Sequence, residues 1–229
     1  IPGLAMYHAM TLTQALILAG RVSDAEALVE GGHEAALAAH ADVGRGAWCF
    51  LRGVISVFRG RPLRAVDSLR ESDLSLGRFD YGLRRGVLIW LGLAEALRGD
   101  AATAERMLDE AQRTNRSRAR LYDADWARAR AWALVAGGHL TAGDQAAADA
   151  AQVAIDAERW TYEVLALHDR ARFGDAGVAA AVVPRLDELA EIVDGRLAPA
   201  CAAHAHALAA EDGTGLNAAA ATFTDLGFD

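Results

Sequence analysis

The stretch Gly92-Leu-Ala-Glu-Ala-Leu-Arg-Gly99-Asp100-Ala-Ala-Thr-Ala104-Glu-Arg-Met-Leu108-Asp-Glu-Ala111 decides the fold. Upstream of Gly99, Val87, Leu91, Ala94 and Leu97 recur at helical spacing. Gly99 suits the end of that helix, because a residue free to take positive φ closes the last turn. Asp100 then suits the start of a second helix, where its carboxylate accepts from orphan backbone N–H groups. The small Ala104 lets the second helix approach the first, and Met107 and Leu108 fill the interface between them. The segment reads as two antiparallel helices joined by a tight turn.

The same pattern, a short apolar run, Gly, four residues and Ala, recurs along the chain. It starts at Gly20, Gly60, Gly99, Gly174 and Gly213, with a degenerate copy from Gly138 to Gly143. Successive spacings are 40, 39, 39, 36 and 39 residues. A constant period of this length marks a repeat array. Helix starts are offered by Asp100, Asp175 and the Ser23–Asp24 pair, and Pro62 falls two residues after Gly60, where proline fits a first turn. The helix pairs are therefore expected at 4–19 with 22–40, 42–59 with 62–76, 79–98 with 101–114, 118–136 with 141–157, 159–172 with 175–194, and 197–210 with 213–226. No useful length of sequence alternates with period two, so no sheet is expected. The fold class is all-α, a right-handed α-α superhelix of about six helix pairs, with residues 1–229 forming a single repeat domain. Each pair alone exposes an apolar face that stacking buries. The Ala-rich last copy reads as a capping unit or as one whose neighbour lies beyond the chain given.

Composition narrows the function classes. Apolar residues make up 53% of the chain, ample for a core, and the formal charge of −8 opposes direct binding to nucleic acid. There is no lysine; all 23 basic residues are arginine. A P-loop and Schiff-base chemistry both need a lysine amine, so neither resides here. Cys49 and Cys201 call for no disulfide and fit a reducing cytoplasm. No 18-residue apolar run or signal-peptide pattern is present. The chain opens at Ile1 and stops at Asp229 within a helical pattern, which reads as a piece of a longer multidomain protein.

The third copy, with small residues at Gly92, Ala104 and Ala111 and Gly99-Asp100 at the turn, resembles the tetratricopeptide consensus, and the second copy from Gly53 through Gly60 to Ala65 is similar. The period is longer than the usual repeat, and most hallmark aromatics are missing. This resembles the stretched array of large ATP-dependent regulators of the LuxR type, the MalT-like group. The closing Leu216-Asn-Ala-Ala-Ala-Ala-Thr-Phe223-Thr-Asp-Leu-Gly227-Phe looks like the segment leading toward their DNA-binding domain. The resemblance implies a sensor and interaction domain whose partners are a protein or small-molecule effector and the ATPase and DNA-binding modules of the same parent chain.

Catalytic arrangements are thin. None of the six serines lies in a G-x-S-x-G turn, and Gly213-Thr-Gly215 is too short to cradle phosphate. No enzyme chemistry and no cofactor are expected. His33 and His40 are seven residues apart, about 10 Å along a helix, too far for one metal. Cys201 and His204 are i, i+3 neighbours that could share a metal, but no second cluster completes the set. No metal site is assigned. The run Arg113, Arg116, Arg118, Arg120, with Arg128 and Arg130 beyond, suits either an acidic partner or the chain's own carboxylates. Asp187, Glu188, Glu191 and Asp194 read as a solvated face.

In such arrays the first helix of each pair lines the concave groove. Positions six, ten and thirteen before each Gly give Tyr7, Met10, Gln14, Phe50, Val54, Ile89, Asp125, Arg128, Trp132 and His168. Tyr7, Gln14, Phe50, Asp125, Arg128, Trp132 and His168 are the candidate ligand- or partner-binding residues. Phe50, Ile89 and Trp132 equally suit the core between neighbouring pairs. The functional expectation is a non-catalytic, cytoplasmic sensor domain binding an effector or partner in the groove. The alternative is a scaffold or oligomerisation adaptor without a dedicated ligand.

Overall fold

A computed structural model of the chain describes residues 2–76, 83–114 and 120–228, with side chains from residue 6 onward. Twelve helices and no strand occur among the described residues. They are α1 (Pro2–Leu18), α2 (Val22–Ala38), α3 (Asp42–Phe58), α4 (Pro62–Leu76), α5 (Leu83–Leu97), α6 (Ala101–Arg113), α7 (Asp123–Ala136), α8 (Leu140–Asp156), α9 (Trp160–Phe173), α10 (Ala176–Ile192), α11 (Leu197–Ala209) and α12 (Gly213–Leu226). Each helix packs on its sequence neighbours, and first helices of successive pairs also touch, as α3 on α5, α5 on α7 and α9 on α11. The result is an α-α superhelix of six stacked pairs. The expected start of α5 at 79 falls outside the described residues, and α7 begins at Asp123 rather than 118.

The turn chemistry explains the boundaries. Gly20, Gly60, Gly99 and Gly138 take positive φ, and the helix that follows each begins two residues later. Asp100 accepts from Thr103 N–H at 3.0 Å and Asp175 from Val178 N–H at 3.0 Å. Three expectations need correction. Gly174 is an extended C-cap at φ −91 rather than a left-handed one. Ser23 and Asp24 lie inside the first turn of α2, where Asp24 pairs with Arg21 instead of capping. In the last pair the left-handed residue is Glu211, not Gly213, and Asp212 caps α12. Read by backbone, the sixth turn therefore lies two residues earlier than its glycine suggests.

Within each pair, close approach depends on small residues facing large ones. Ala25, Ala65, Ala104 and Ala179 are fully buried five residues after their glycines. A Cβ on Gly53 would run into Leu69, and one on Gly143 into Val135. Second helices bury one stripe, as Ala65, Val66, Leu69, Ser72 and Leu76 do on α4, whereas α5 is buried nearly all round. All five tryptophans sit on first helices. No helix among the described residues is long and apolar enough to cross a membrane.

The array closes on itself. The Arg196 N–H donates to the Ala19 carbonyl at 3.1 Å, and Gly195 lies directly on the Ala19 backbone. Leu226 covers Gly20, and the rings of Phe58 and Phe228 meet at 6.0 Å. The sixth unit is thus brought back against the first two. Across the axis, Gln14 of α1 donates to the Tyr162 hydroxyl of α9. The concave face is consequently a narrow centre, partly open to solvent, rather than a long trough.

Candidate functional site

At one end of this centre lies a cavity of about 440 Å³. Its walls come from the C-terminal ends of first helices, through Phe58, Leu97, Trp132 and Arg172, and from Leu197, Cys201 and His204 of α11. Phe223 and Phe228 close it from the last unit. A pocket this size can exist because closure places α11 and α12 opposite α3 and α5 across the axis.

The polar wall is organised by Asp169, which is 1% exposed. It accepts from Arg128 Nε at 2.6 Å, from Trp132 Nε1 at 2.9 Å and from an Arg172 terminal nitrogen at 3.4 Å. Arg172 also lies over the Trp132 ring at 4.7 Å, and Trp132 meets Phe173 edge-on at 4.8 Å. A buried carboxylate is tolerable only with such partners. Two guanidiniums face this one carboxylate; Arg128 also acts on Asp125 deeper on the axis, so Arg172, at the more exposed edge, is the guanidinium least matched by carboxylate.

Beside it, His168 Nε2 and His204 Nδ1 are 2.7 Å apart. One nitrogen donates and the other accepts, so the accepting ring is neutral and the two rings cannot both be charged at that bond. Burial, then the nearby Arg172, His204 and Arg128, hold His168 well below the usual imidazole range; burial and Arg172 lower His204 as well. His168 stacks on Phe223 at 5.5 Å. The thiol of Cys201 is pushed up to about 12, first by burial and then by Asp169. A neutral thiol at the back of a pocket is a packing group, not a nucleophile.

The seven candidate binding residues separate into three sets. Arg128, Trp132 and His168 meet at the cavity. Gln14 and Asp125 adjoin a small void of about 10 Å³ deeper on the axis, which Arg128 also reaches. The Asp125 carboxyl is raised to about 6 by burial, against the pull of Arg159 and Arg128. Phe50 is buried in the core between units, and Tyr7 is 59% exposed on α1, away from the cavity. Met10 packs against the core, Val54 borders the small void and Ile89 is core.

Position counting missed Asp169, Arg172, Phe58, Phe223 and Phe228. Phe58, Leu97 and Arg172 all stand two residues before their glycine, so adding that position to the count would have found the cavity ends of α3, α5 and α9. Of the basic run, Arg113 pairs with Glu110 and Arg120 with Asp123, Arg130 lies over Trp126, and Arg116 and Arg118 fall outside the described residues. Asp187 meets His206, and Glu188 meets Arg185. His204 turns its Nδ1 to His168, and among the described residues no group of three metal-ligating side chains forms around Cys201.

The fold and the cavity together define an α-α superhelical repeat chain closed around a pocket with a cationic wall. Comparison with protein-family models, curated proteins and solved structures returns no match to this chain. The pocket's chemistry is therefore read from its own residues.

Proposed function

We propose that the chain is a non-catalytic sensor domain whose central cavity binds a small, largely apolar ligand carrying one negative charge. The observation that carries this reading is the 440 Å³ cavity in which Arg128 and Arg172 oppose the single carboxylate of Asp169. The volume is in the range of small-molecule sites and too small for a helix or an extended peptide of any length. Phe58, Phe223, Phe228 and Leu197 suit an apolar body, and the Arg172 guanidinium suits a carboxylate or similar anion. The resemblance to the MalT-like group extends the proposal to a cytoplasmic LuxR-type transcriptional regulator. In it, ligand binding biases the ATPase and DNA-binding modules of the parent chain by favouring one arrangement of the array.

Titration of the chain with a panel of aromatic and aliphatic monocarboxylates, followed by tryptophan fluorescence, tests the proposal. Binding by at least one is expected, with the response lost in Arg172→Ala. If no member binds while the parent regulator still responds to its inducer, sensing lies elsewhere.

The scaffold reading is favoured by a different observation: Leu63 and Leu74 of α4 are 64% and 79% exposed. Self-association that rises with concentration in light scattering, and disappears in Leu74→Ser, would support it.

A further inference from the structure

Away from the cavity, α2, α3 and α4 bring three side chains with metal-ligating atoms together. These are His33, Cys49 and Glu71; one ligand atom from each lies within 4.8 Å of the other two. Among the described residues no other group of three such side chains meets this way. The Cys49 Sγ to His33 Nε2 separation is 3.6 Å. A tetrahedral zinc, with bonds of about 2.3 Å to sulfur and 2.0 Å to nitrogen, places those two atoms roughly 3.5 Å apart. The pair is already spaced as two ligands of one ion.

We propose that His33, Cys49 and Glu71 form a binding site for a zinc-class divalent metal that clips the first repeat unit to the second. Burial supports the geometry. Cys49 is fully buried and His33 nearly so, while the Glu71 side chain is 46% exposed. The ion therefore has a route in from the carboxylate side and two protected ligands at its back. Glu71 is available, because its contact with Arg45 Nε is 3.6 Å, an ion pair without a hydrogen bond. Glu71 swings on a surface side chain, so closing the remaining distance needs no backbone movement.

The donor set selects the ion. A thiolate, a neutral imidazole and a carboxylate sum to two negative charges, which a divalent ion neutralises. Thiolate and imidazole exclude magnesium and calcium, and the carboxylate disfavours copper(I). Zinc(II) and cobalt(II) fit, with the fourth position left to water or the second Glu71 oxygen.

Burial, with Glu71 beside it, pushes the metal-free Cys49 thiol up to about 12. Binding therefore displaces the thiol proton: the S–H bond breaks, a sulfur–metal bond forms, and one proton passes to the buffer per ion bound.

The test uses the full chain, stripped with chelator and titrated with cobalt chloride. One equivalent is expected to bind with a thiolate-to-cobalt charge-transfer band in the near ultraviolet, and zinc is expected to displace it. Cys201→Ser should keep the band and Cys49→Ser should lose it. Because Cys49 is buried and its variant can misfold, Glu71→Gln is the second arm. That surface change should leave the helical circular dichroism intact and weaken cobalt binding about ten-fold or more. A wild-type chain that takes up no stoichiometric cobalt, a band that survives Cys49→Ser, or wild-type affinity in folded Glu71→Gln overturns the proposal.

Discussion

His168 on α9 and His204 on α11 hold one another through a ring-nitrogen contact of 2.7 Å, packed against Phe223 of α12. This contact joins the last two units at the cavity wall, and it is lost when both rings carry a proton on the facing nitrogen. His168 has a folded-state affinity for protons below that of the unfolded chain. The unfolded state therefore binds more protons as pH falls below the ordinary histidine range near 6.5, and stability drops with it. Full stability from this pair is present above about pH 7 and is lost on acidification, with a slope of at most ~1.4 kcal/mol per pH unit per proton. Asp125 acts in the opposite sense, since its raised affinity favours the folded state below about pH 6. Comparing wild type with His168→Gln in urea unfolding between pH 8 and 5 separates the two. The wild type should lose more on acidification; equal losses would show that the pair does not titrate with folding.

Asp169→Asn should destabilise the chain by about 3 kcal/mol, because it leaves Arg128, itself largely buried, without its carboxylate. Arg172→Ala, at the exposed edge of the same network, should cost about 1 kcal/mol or less. Urea midpoints for the two variants check the order. A reversed order would place the buried charge balance on another residue.

Two glycine substitutions should fail for different reasons. Gly53→Ala drives a methyl into buried Leu69 and should cost roughly 1–3 kcal/mol by overpacking. Gly99→Ala meets nothing within 4 Å, but Gly99 sits at φ +89, so the cost of about 1 kcal/mol is conformational. Gly99→Asn should recover part of that loss, since Asn tolerates the left-handed region, and Gly53→Asn should not. Thermal denaturation of the four variants distinguishes packing from backbone strain.

Gly195→Val tests closure. At φ +100, any Cβ on residue 195 would come within 2.6 Å of the Ala19 backbone. The variant should lose about 2 kcal/mol or more and bind a hydrophobic dye as the cavity opens. A change in stability without dye binding would mean that the ends stay together.

The helix pairs were legible because their signals are local. A glycine at positive φ, an acidic cap and a small residue five positions on are all written within a dozen residues, as Gly99, Asp100 and Ala104 illustrate. The bounds of the sixth pair, 197–210 with 213–226, agree with the structure, but its left-handed residue was misassigned: Glu211 takes the conformation that glycine usually marks, and a glycine two residues later imitated the motif. The cavity was half legible. Arg128, Trp132 and His168 follow from counting along first helices, but Phe223 and Phe228 reach the pocket only because the ends meet. No local pattern encodes that meeting. The His33–Cys49–Glu71 group was hidden for a related reason: its members come from three helices, and His33 invited comparison with His40 on its own segment instead.

An open helical array behaves as a one-dimensional chain of neighbours, so its terminal repeats fray first and its unfolding spreads inward. The Ala19–Arg196 hydrogen bond and the Leu226–Gly20 contact give the outermost repeats a neighbour on both sides. Opening any one unit then also breaks the circle. Amide protons in α1 and α12 should exchange nearly as slowly as those in α5, and the whole chain should melt as one cooperative unit, a behaviour that a linear stack of the same helices would not share.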